Sequence, residues 1–495
     1  MSTKAASEKG SISSTDNFDT PEDRALVRKI DFRLIPILTL LYLLSFLDRT
    51  NIGNAKILGL ATDLHVSAPG YNTSLALYFV GYVLFEVPAN VLFVHIDRFS
   101  HYDRLKRLDP QIWLPSLTLF WGIVSICQGL VTNKAGLFGI RFLLGVSEAG
   151  LFPGVIYVFS VYYRRHERSW RVAIFFGGAA LAGAFGGILA FAIGKMDGVA
   201  GHKGWQWIFI IEGIITVVIS LLAYFIVPTW PYKAKFLTES EKARLLQRLN
   251  ADSDAGLIEH FEWVYVRQAL TDHLVWAYAF LFHGFAFVLY SLSLFLPTII
   301  AGLGFQSWQA QLMTVPPNSL AAISIWLTVW WSSRIDRRAP LIIGSAGVAI
   351  IGYIILISTG KAGPQYLGVH LAAAGIYTGN ALLLSWPGEN VSAQTKRAVA
   401  VAMQITIGDI GAISGVLVYR PNLAGNHYRE PHIIAIGYLV FAVLIALYLY
   451  TWMTRENRRR DRLEGSKDTK EAYDPSSAEE KQRLGDRHPS YRYVI

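Results

Sequence analysis

Thiols and charge are both scarce in this chain. A single cysteine, Cys127, among 495 residues excludes an intramolecular disulfide, a thiolate metal cluster and a dithiol redox pair. Charged residues make up only 16% against 53% hydrophobic, which is too apolar for a set of soluble domains. No Gly-x-x-x-x-Gly-Lys-Ser/Thr run, HExxH pair or Cys/His spacing occurs, so ATP hydrolysis and zinc chemistry have no support and no cofactor is expected. The first 33 residues hold no apolar stretch after Met1, which predicts no cleaved signal peptide. The net charge of +9 is spread between apolar runs and not gathered on one face, which argues against nucleic acid as a partner.

What is abundant is apolar and aromatic: 14 Trp, 24 Tyr and 27 Phe, with a mean hydropathy of +0.35. Twelve runs are long enough to cross ~30 Å of hydrocarbon. They fall near 33–53, 73–95, 111–131, 136–162, 171–194 and 205–228, then 274–301, 309–332, 340–359, 365–388, 398–419 and 432–453. The expectation is an all-α polytopic membrane protein of twelve helices in two pseudo-symmetric six-helix bundles, 33–228 and 274–453. Residues 1–32 form an N-terminal tail, 229–273 a polar linker with a short amphipathic helix, and 454–495 a C-terminal tail. That tail begins with Arg455, Arg458, Arg459, Arg460 and Arg462 and carries too little apolar content to fold alone, so it is expected to be disordered.

Basic residues concentrate in alternate loops. Arg98, Arg104, Lys106 and Arg107 follow segment 2, whereas the loop after segment 1 has Lys56 alone. By the positive-inside bias both termini face the cytoplasm. Segments 5 and 11 carry matching small-residue faces, Gly177, Gly178, Gly183, Gly186 and Gly187 against Gly408, Gly411 and Gly415. These suit either close static packing or two halves rocking about a central cavity. The sequon at Asn72 abuts segment 2, too close to the membrane for reliance on glycosylation.

Ionisable residues inside apolar segments are costly and need a partner or a task. Asp48 and Arg49 lie in segment 1, with Arg49 ~24 Å from its cytoplasmic end at ~1.5 Å per residue. Arg141 and Glu148 lie seven residues apart on one face of segment 4, ~7.5 and ~18 Å from its external end. Arginine offers a planar fork to a carboxylate, so Arg49 and Arg141 are candidate substrate ligands. Glu148 and Asp48 are candidate proton carriers. Static ion pairing of helices 1 and 4 is the alternative. Tyr78, Tyr290, Asn380 and Gln404 occupy segments that can line a cavity, with core packing equally open for each. Glu86, Glu212, His283 and His370 read more readily as structural.

Longer strings then become informative: KIDFRLIPILTLLYLLSFLDRTNIGNAK, GYVLFEVPAN, RFLLGVSEAGLFPGVIY, AGAFGGILA, GWQWIFIIEG, YSLSLFLPTII and TKRAVAVAMQ. Across residues 25–460 the chain resembles the anion:cation symporter branch of the major facilitator superfamily, and within it the fungal allantoate and nicotinate permease group. The resemblance implies the major facilitator fold and proton-coupled symport of a small carboxylate such as nicotinate, allantoate or pantothenate at the plasma membrane. It also implies roles for Asp48, Arg49, Arg141 and Glu148 in handling substrate and protons. The chain departs from the family pattern in three places. The loop HIDRFSHYDRLKRLDPQIW is about a dozen residues longer than usual. Asp409 stands where Asn is expected, either as a third candidate proton carrier or as a group that disfavours a simple anion and selects a zwitterion, and Glu389 replaces an amide. The turn SSRIDRRAP resembles a gating turn that closes on a salt bridge. The expected protein is a monomer in the lipid bilayer and not an enzyme, whose ligands are a small organic anion and protons. A non-transporting nutrient sensor on the same fold is the other reading.

Overall fold

The computed structural model describes residues 19–98, 109–251, 263–335, 337–392, 394–420, 423, 426, 428–465, 485–489 and 491–495. The long loop after segment 2, residues 252–262 of the linker, Asp336 of the SSRIDRRAP turn and the greater part of both tails lie outside them.

Every long element among the described residues is a helix, as an apolar solvent demands, because a helix satisfies its own backbone polar groups. The first half comprises α1 (Pro21–Ile57), the short α2 (Leu60–Asp63), α3 (Ala68–Arg98), α4 (Pro110–Gly129), α5 (Lys134–Glu148), α6 (Leu151–Tyr162), α7 (Arg165–Gly194) and α8 (Gly204–Ile226). Next come α9 (Glu239–Ala251) and α10 (Trp263–Thr271), the amphipathic connection expected from the sequence. The second half comprises α11 (His273–Ala301), α12 (Ser307–Leu312), α13 (Val315–Ile335), α14 (Ala339–Ser358), α15 (Ala362–Asn390), α16 (Gln394–Val418) and α17 (Arg429–Gly465). Eleven spans among the described residues are long and apolar enough to cross a membrane, and α3, at 31 residues, occupies the twelfth place.

Two segments expected to be continuous are broken, each at a proline. Pro153 has no N–H to offer the carbonyl of Ala149, and its ring crowds that carbonyl. Segment 4 therefore divides into α5 and α6 directly after Glu148. Pro316 and Pro317 likewise fill the first turn of α13, where a missing N–H costs nothing, and α12 stops short of them.

Within the halves α1 packs on α7, α3 on α5, α4 on α8, α11 on α16 and α14 on α15. Between them α3 meets α16, α7 meets α13 and α15, and α1 meets α11. Exchanging each segment for its counterpart six places on converts the α3–α16 contact into the α13–α7 contact and returns α1–α11 to itself. The interface thus has the pseudo-two-fold symmetry anticipated from the glycine faces.

The halves are tightly closed at the face remote from the termini. A Cβ on Gly53 would come within 2.5 Å of Leu294 O, and one on Gly183 within 2.7 Å of Asn318, so only glycine permits these backbones to approach. Asn72, buried, donates through Nδ2 to Tyr419 O at 3.0 Å, which makes the sequon asparagine an interface residue. At the termini-bearing face, Ser169 on α7 hydrogen-bonds Glu389 on α15, and Glu389 also pairs with Arg338 at 3.0 Å.

The C-terminal tail requires a correction. α17 continues to Gly465, and residues 485–489 and 491–495 are folded against the second half. Asn390 exchanges two hydrogen bonds with Val494, Asn457 exchanges two with Tyr493, and Arg338 N donates to Ile495 O. Apolar content underestimates this segment because backbone pairing to fixed polar side chains holds it, with Tyr491, Tyr493 and Ile495 packing onto the core.

Candidate functional site: a caged arginine and an unpaired one

Near the middle of the molecule, α1 and α5 bring Arg49 and Glu148 together at 3.1 Å. Glu148 Oε2 accepts three hydrogen bonds, from Arg49, from Ser45 Oγ at 2.7 Å and from Tyr78 OH at 2.9 Å. Its Oε1 has no hydrogen-bond partner among the described residues and is buried. The approach that makes this possible is between α3 and α5, where a Cβ on Gly145 would collide with the carbonyl of Tyr78. With glycine there, Tyr78 reaches the carboxylate one turn further along α5.

Arg49 is also held from the second half. Its guanidinium donates to Tyr290 OH at 2.8 Å and lies 5.0–5.8 Å from the ring centroids of Phe46, Tyr78, Tyr82 and Tyr290. Four π faces around one cation compensate part of its lost hydration.

Arg141 lies two turns before Glu148 on α5 and is fully buried, its guanidinium 5.1 Å from the ring of Tyr78. None of its three guanidinium nitrogens has a hydrogen-bond partner among the described residues. A buried, unpaired guanidinium is among the costliest arrangements in a protein. An anion with two oxygens would satisfy it through the geometry a carboxylate offers.

Tyr42, Tyr82, Phe152, Phe176, Phe282, Ile405 and Asp409 close around Arg49 and Tyr290 to leave a cavity of about 30 Å³. That is room for about two waters at 10–15 Å³ each and not for an organic carboxylate. Asp409 comes from α16 and Glu86 from α3, and the two carboxyls interact across the interface between the halves. A larger cavity of about 230 Å³ lies at the far face between α11, α14, α15 and α17, lined by Thr298, Gln365, Tyr428 and His432. It offers neither guanidinium nor carboxylate, so the chemistry gathers in the smaller one.

Of the residues singled out in the sequence, Arg49, Arg141, Glu148, Tyr78, Tyr290 and Asp409 are brought to one place. Asp48 is not among them. Its carboxylate turns to the interior of the first half, accepting from Ser125 Oγ at 2.7 Å and Thr216 Oγ1 at 3.3 Å. Adjacent residues on a helix point ~100° apart, so Asp48 faces α4 and α8 while Arg49 faces the second half. Asn380 and Gln404 also fall outside the cavity lining. Asn380 Nδ2 donates to Ile376 O of its own helix at 2.8 Å, and Gln404 Nε2 ties α16 to Leu383 O of α15 at 3.2 Å. Glu86 went unselected in the sequence, although Tyr78, Tyr82 and Glu86 follow one another at i, i+4 and i+8 on one face of α3.

The family model described as Major Facilitator Superfamily matches residues 38–416. The MFS transporter prlL of a fungal species is 36% identical over 453 residues, covering 89% of each chain. The high-affinity nicotinic acid transporter of Saccharomyces cerevisiae is 31% identical over 96% of this chain and 85% of its own. Among solved structures, an inward-facing, occupied bacterial homolog of the human lysosomal transporter Spinster superposes with a TM-score of 0.62 at 16% identity, over 87% of this chain and 97% of that one.

Proposed function

This chain belongs to the Major Facilitator Superfamily, and from that premise we propose that it is a proton-coupled symporter of a small organic carboxylate working by alternating access. The observation that carries the reading is Arg141, wholly buried and without a hydrogen-bonding partner among the described residues, beside an Arg49 that is ion-paired with Glu148. The nicotinic acid transporter among the relatives agrees in substrate class, and nicotinate, allantoate and pantothenate all present the required carboxylate.

Glu148 and a substrate carboxylate compete for the same guanidinium. When Glu148 is ionised it holds Arg49 and the site is self-satisfied. Protonation of Glu148 frees Arg49, and the substrate carboxylate then bridges Arg49 and Arg141 while the aromatic rings enclose its apolar part. Asp409, facing Glu86 across the halves, takes a proton in the same step, because an anionic ligand beside an ionised Asp409 is repelled. With the termini in the cytoplasm of a plasma-membrane protein, the far face opens to load and the termini-bearing face to release. Each positive charge in excess of the substrate's that crosses 100 mV inward contributes ~2.3 kcal/mol.

Radiolabelled carboxylate uptake into proteoliposomes tests the reading. An acid exterior is expected to stimulate accumulation, Arg49→Ala to abolish binding, and Glu148→Gln to abolish proton-driven accumulation while retaining exchange of labelled for unlabelled substrate. Binding without accumulation in the wild type would identify a sensor instead.

A further inference from the structure

A second polar centre lies inside the first half, apart from the site above. Three helices each present one face to it. From α1 come Asp48, Asn51 and Asn54, spaced by three; from α4, Trp121, Ser125 and Gln128; from α8, Glu212 and Thr216, spaced by four. The contacts fix their register. Ser125 and Thr216 both donate to Asp48, and one turn nearer the far face Asn51 Nδ2 donates to Glu212 Oε2. Gln128 is one step beyond Ser125 on the same face of α4. It sits about one turn nearer the far face than Glu212, since Gly129 beside it packs against Ile210 and Gln206 of α8, whereas Gly213 packs against Ile126 and Gly122. Asn54 Nδ2 donates to Asn51 Oδ1 at 3.2 Å, and this fixes the Asn51 amide with its nitrogen toward the glutamate.

Two features of this centre are unsatisfied. Gln128 is 1% exposed with neither Oε1 nor Nε2 hydrogen-bonded among the described residues, and Glu212, equally buried, has a bare Oε1. The charges are also one-sided. Glu212 interacts with Asp48 and Asp48 with Glu148, and only Glu148 meets a guanidinium. The facing stretches of α4 and α7 bring no ionisable side chain, and α8 brings Glu212 alone. Two carboxyls without a cation in an apolar bundle must be neutralised. Ser125, Thr216 and Asn51 turn donors to the two carboxylates and leave Glu212 Oε1 bare, the oxygen a proton would occupy.

We propose that Glu212, stacked on Asp48, is a second proton-binding site, loaded from the far face along the Asn54–Gln128 polar face, and that its proton crosses in addition to the one on Glu148. This rests on the symport reading above. It adds a second transported proton whose entry is separate from the substrate's own path.

The test counts protons moved per substrate in proteoliposomes, from the pH gradient that just halts substrate flux, for wild type, Glu212→Gln and Glu148→Gln. Glu212→Gln is expected to move one proton fewer than wild type. Difference infrared spectra should show an acid-induced protonated-carboxyl band that is lost in Glu212→Gln and kept in Glu148→Gln. An unchanged stoichiometry with the band intact overturns the proposal. If Glu212→Gln does not reconstitute, Gln128→Leu carries the test: proton-driven uptake should slow at every external pH, and uptake at the wild-type rate overturns the route. A wild type indifferent to the pH gradient would instead overturn the symport reading itself.

Discussion

Arg141 sets the sharpest expectation at the level of single residues, because its guanidinium is buried and none of its nitrogens is hydrogen-bonded among the described residues. A side chain kept for a ligand destabilises the protein that lacks the ligand. Arg141→Met preserves most of the volume and removes the charge, and exchanging buried ionic groups for apolar ones is often worth ~1–4 kcal/mol. The expected outcome is a raised Tm in detergent together with loss of carboxylate binding, read by thermal shift with and without substrate. A lowered Tm would mean that Arg141 holds the fold. Residues of this kind are legible in sequence, since a guanidinium or carboxylate in an apolar run is rare enough to stand out. The aromatic cage is not. Phe46, Tyr82, Phe152 and Phe176 look like any of the chain's 27 Phe and 24 Tyr until the halves are brought together. Asp48 was legible as a charge, but its direction needed the helix phase, which places it with Glu212 and away from Arg49.

Helices position these groups, and the crossing of α3 with α5 is the tightest support the site has. Gly145→Val would drive a branched side chain into the Tyr78 carbonyl and separate Tyr78 from Glu148. Overpacking of this kind costs ~1–3 kcal/mol, so the variant should lower Tm and reduce uptake more than an equally destabilised core variant elsewhere. At the termini-bearing end, α9 is clamped to α1 by Arg244, which donates to both oxygens of Asp23 at 2.8 and 2.9 Å, and Arg248 bridges Asp23 to Glu167. The Arg244 hydrogen bond leads in holding the Asp23 carboxyl at about 2, below its ordinary 3.8. A depressed carboxyl stabilises the fold above its ordinary value and loses that contribution as pH falls through its folded value. Protection of the α9 amides, relative to their intrinsic exchange rates, should therefore hold down to about pH 4 and fall between there and about pH 2, whereas Arg244→Ala should lower it already at neutral pH. The polar, charged character of α9 is plain in the sequence. The breaks after Glu148 and before Val315 were also signalled, by Pro153 and Pro316–Pro317, but hydropathy alone runs straight across them.

At the scale of the whole molecule, the six-plus-six arrangement follows from the apolar runs and the paired glycine faces, because burying twelve helices in two related sets leaves few alternatives. The C-terminal strap does not follow, since nothing in a short polar segment announces where it docks. Its anchors span the second half. Asp486 pairs with Lys396 of α16 at 2.8 Å, Lys396 pairs with Asp272 at the start of α11 at 2.6 Å, and Asp272 in turn caps that helix through Leu274 N. Tyr491 donates to the carbonyl of Glu389, whose carboxylate holds Arg338 and reaches Ser169 in the first half. Removing residues 485–495 would leave Lys396, 1% exposed, with one carboxylate instead of two and would take the Val494 partners from Asn390 Oδ1 and Trp386 Nε1. At ~1 kcal/mol for each net hydrogen bond lost, the deletion should cost several kcal/mol and lower Tm. The loss should appear as faster amide exchange at the Arg338–Ala339 end of α14 and the Asn390 end of α15. The far-face contacts, Gly53 against Leu294 and Asn72 to Tyr419, should keep wild-type protection. Uniform loss of protection throughout the chain would mean that the strap supports the whole fold. Selective loss would mean that it fixes the termini-bearing end of the second half, the part that has to part from Ser169 when the halves open on that side.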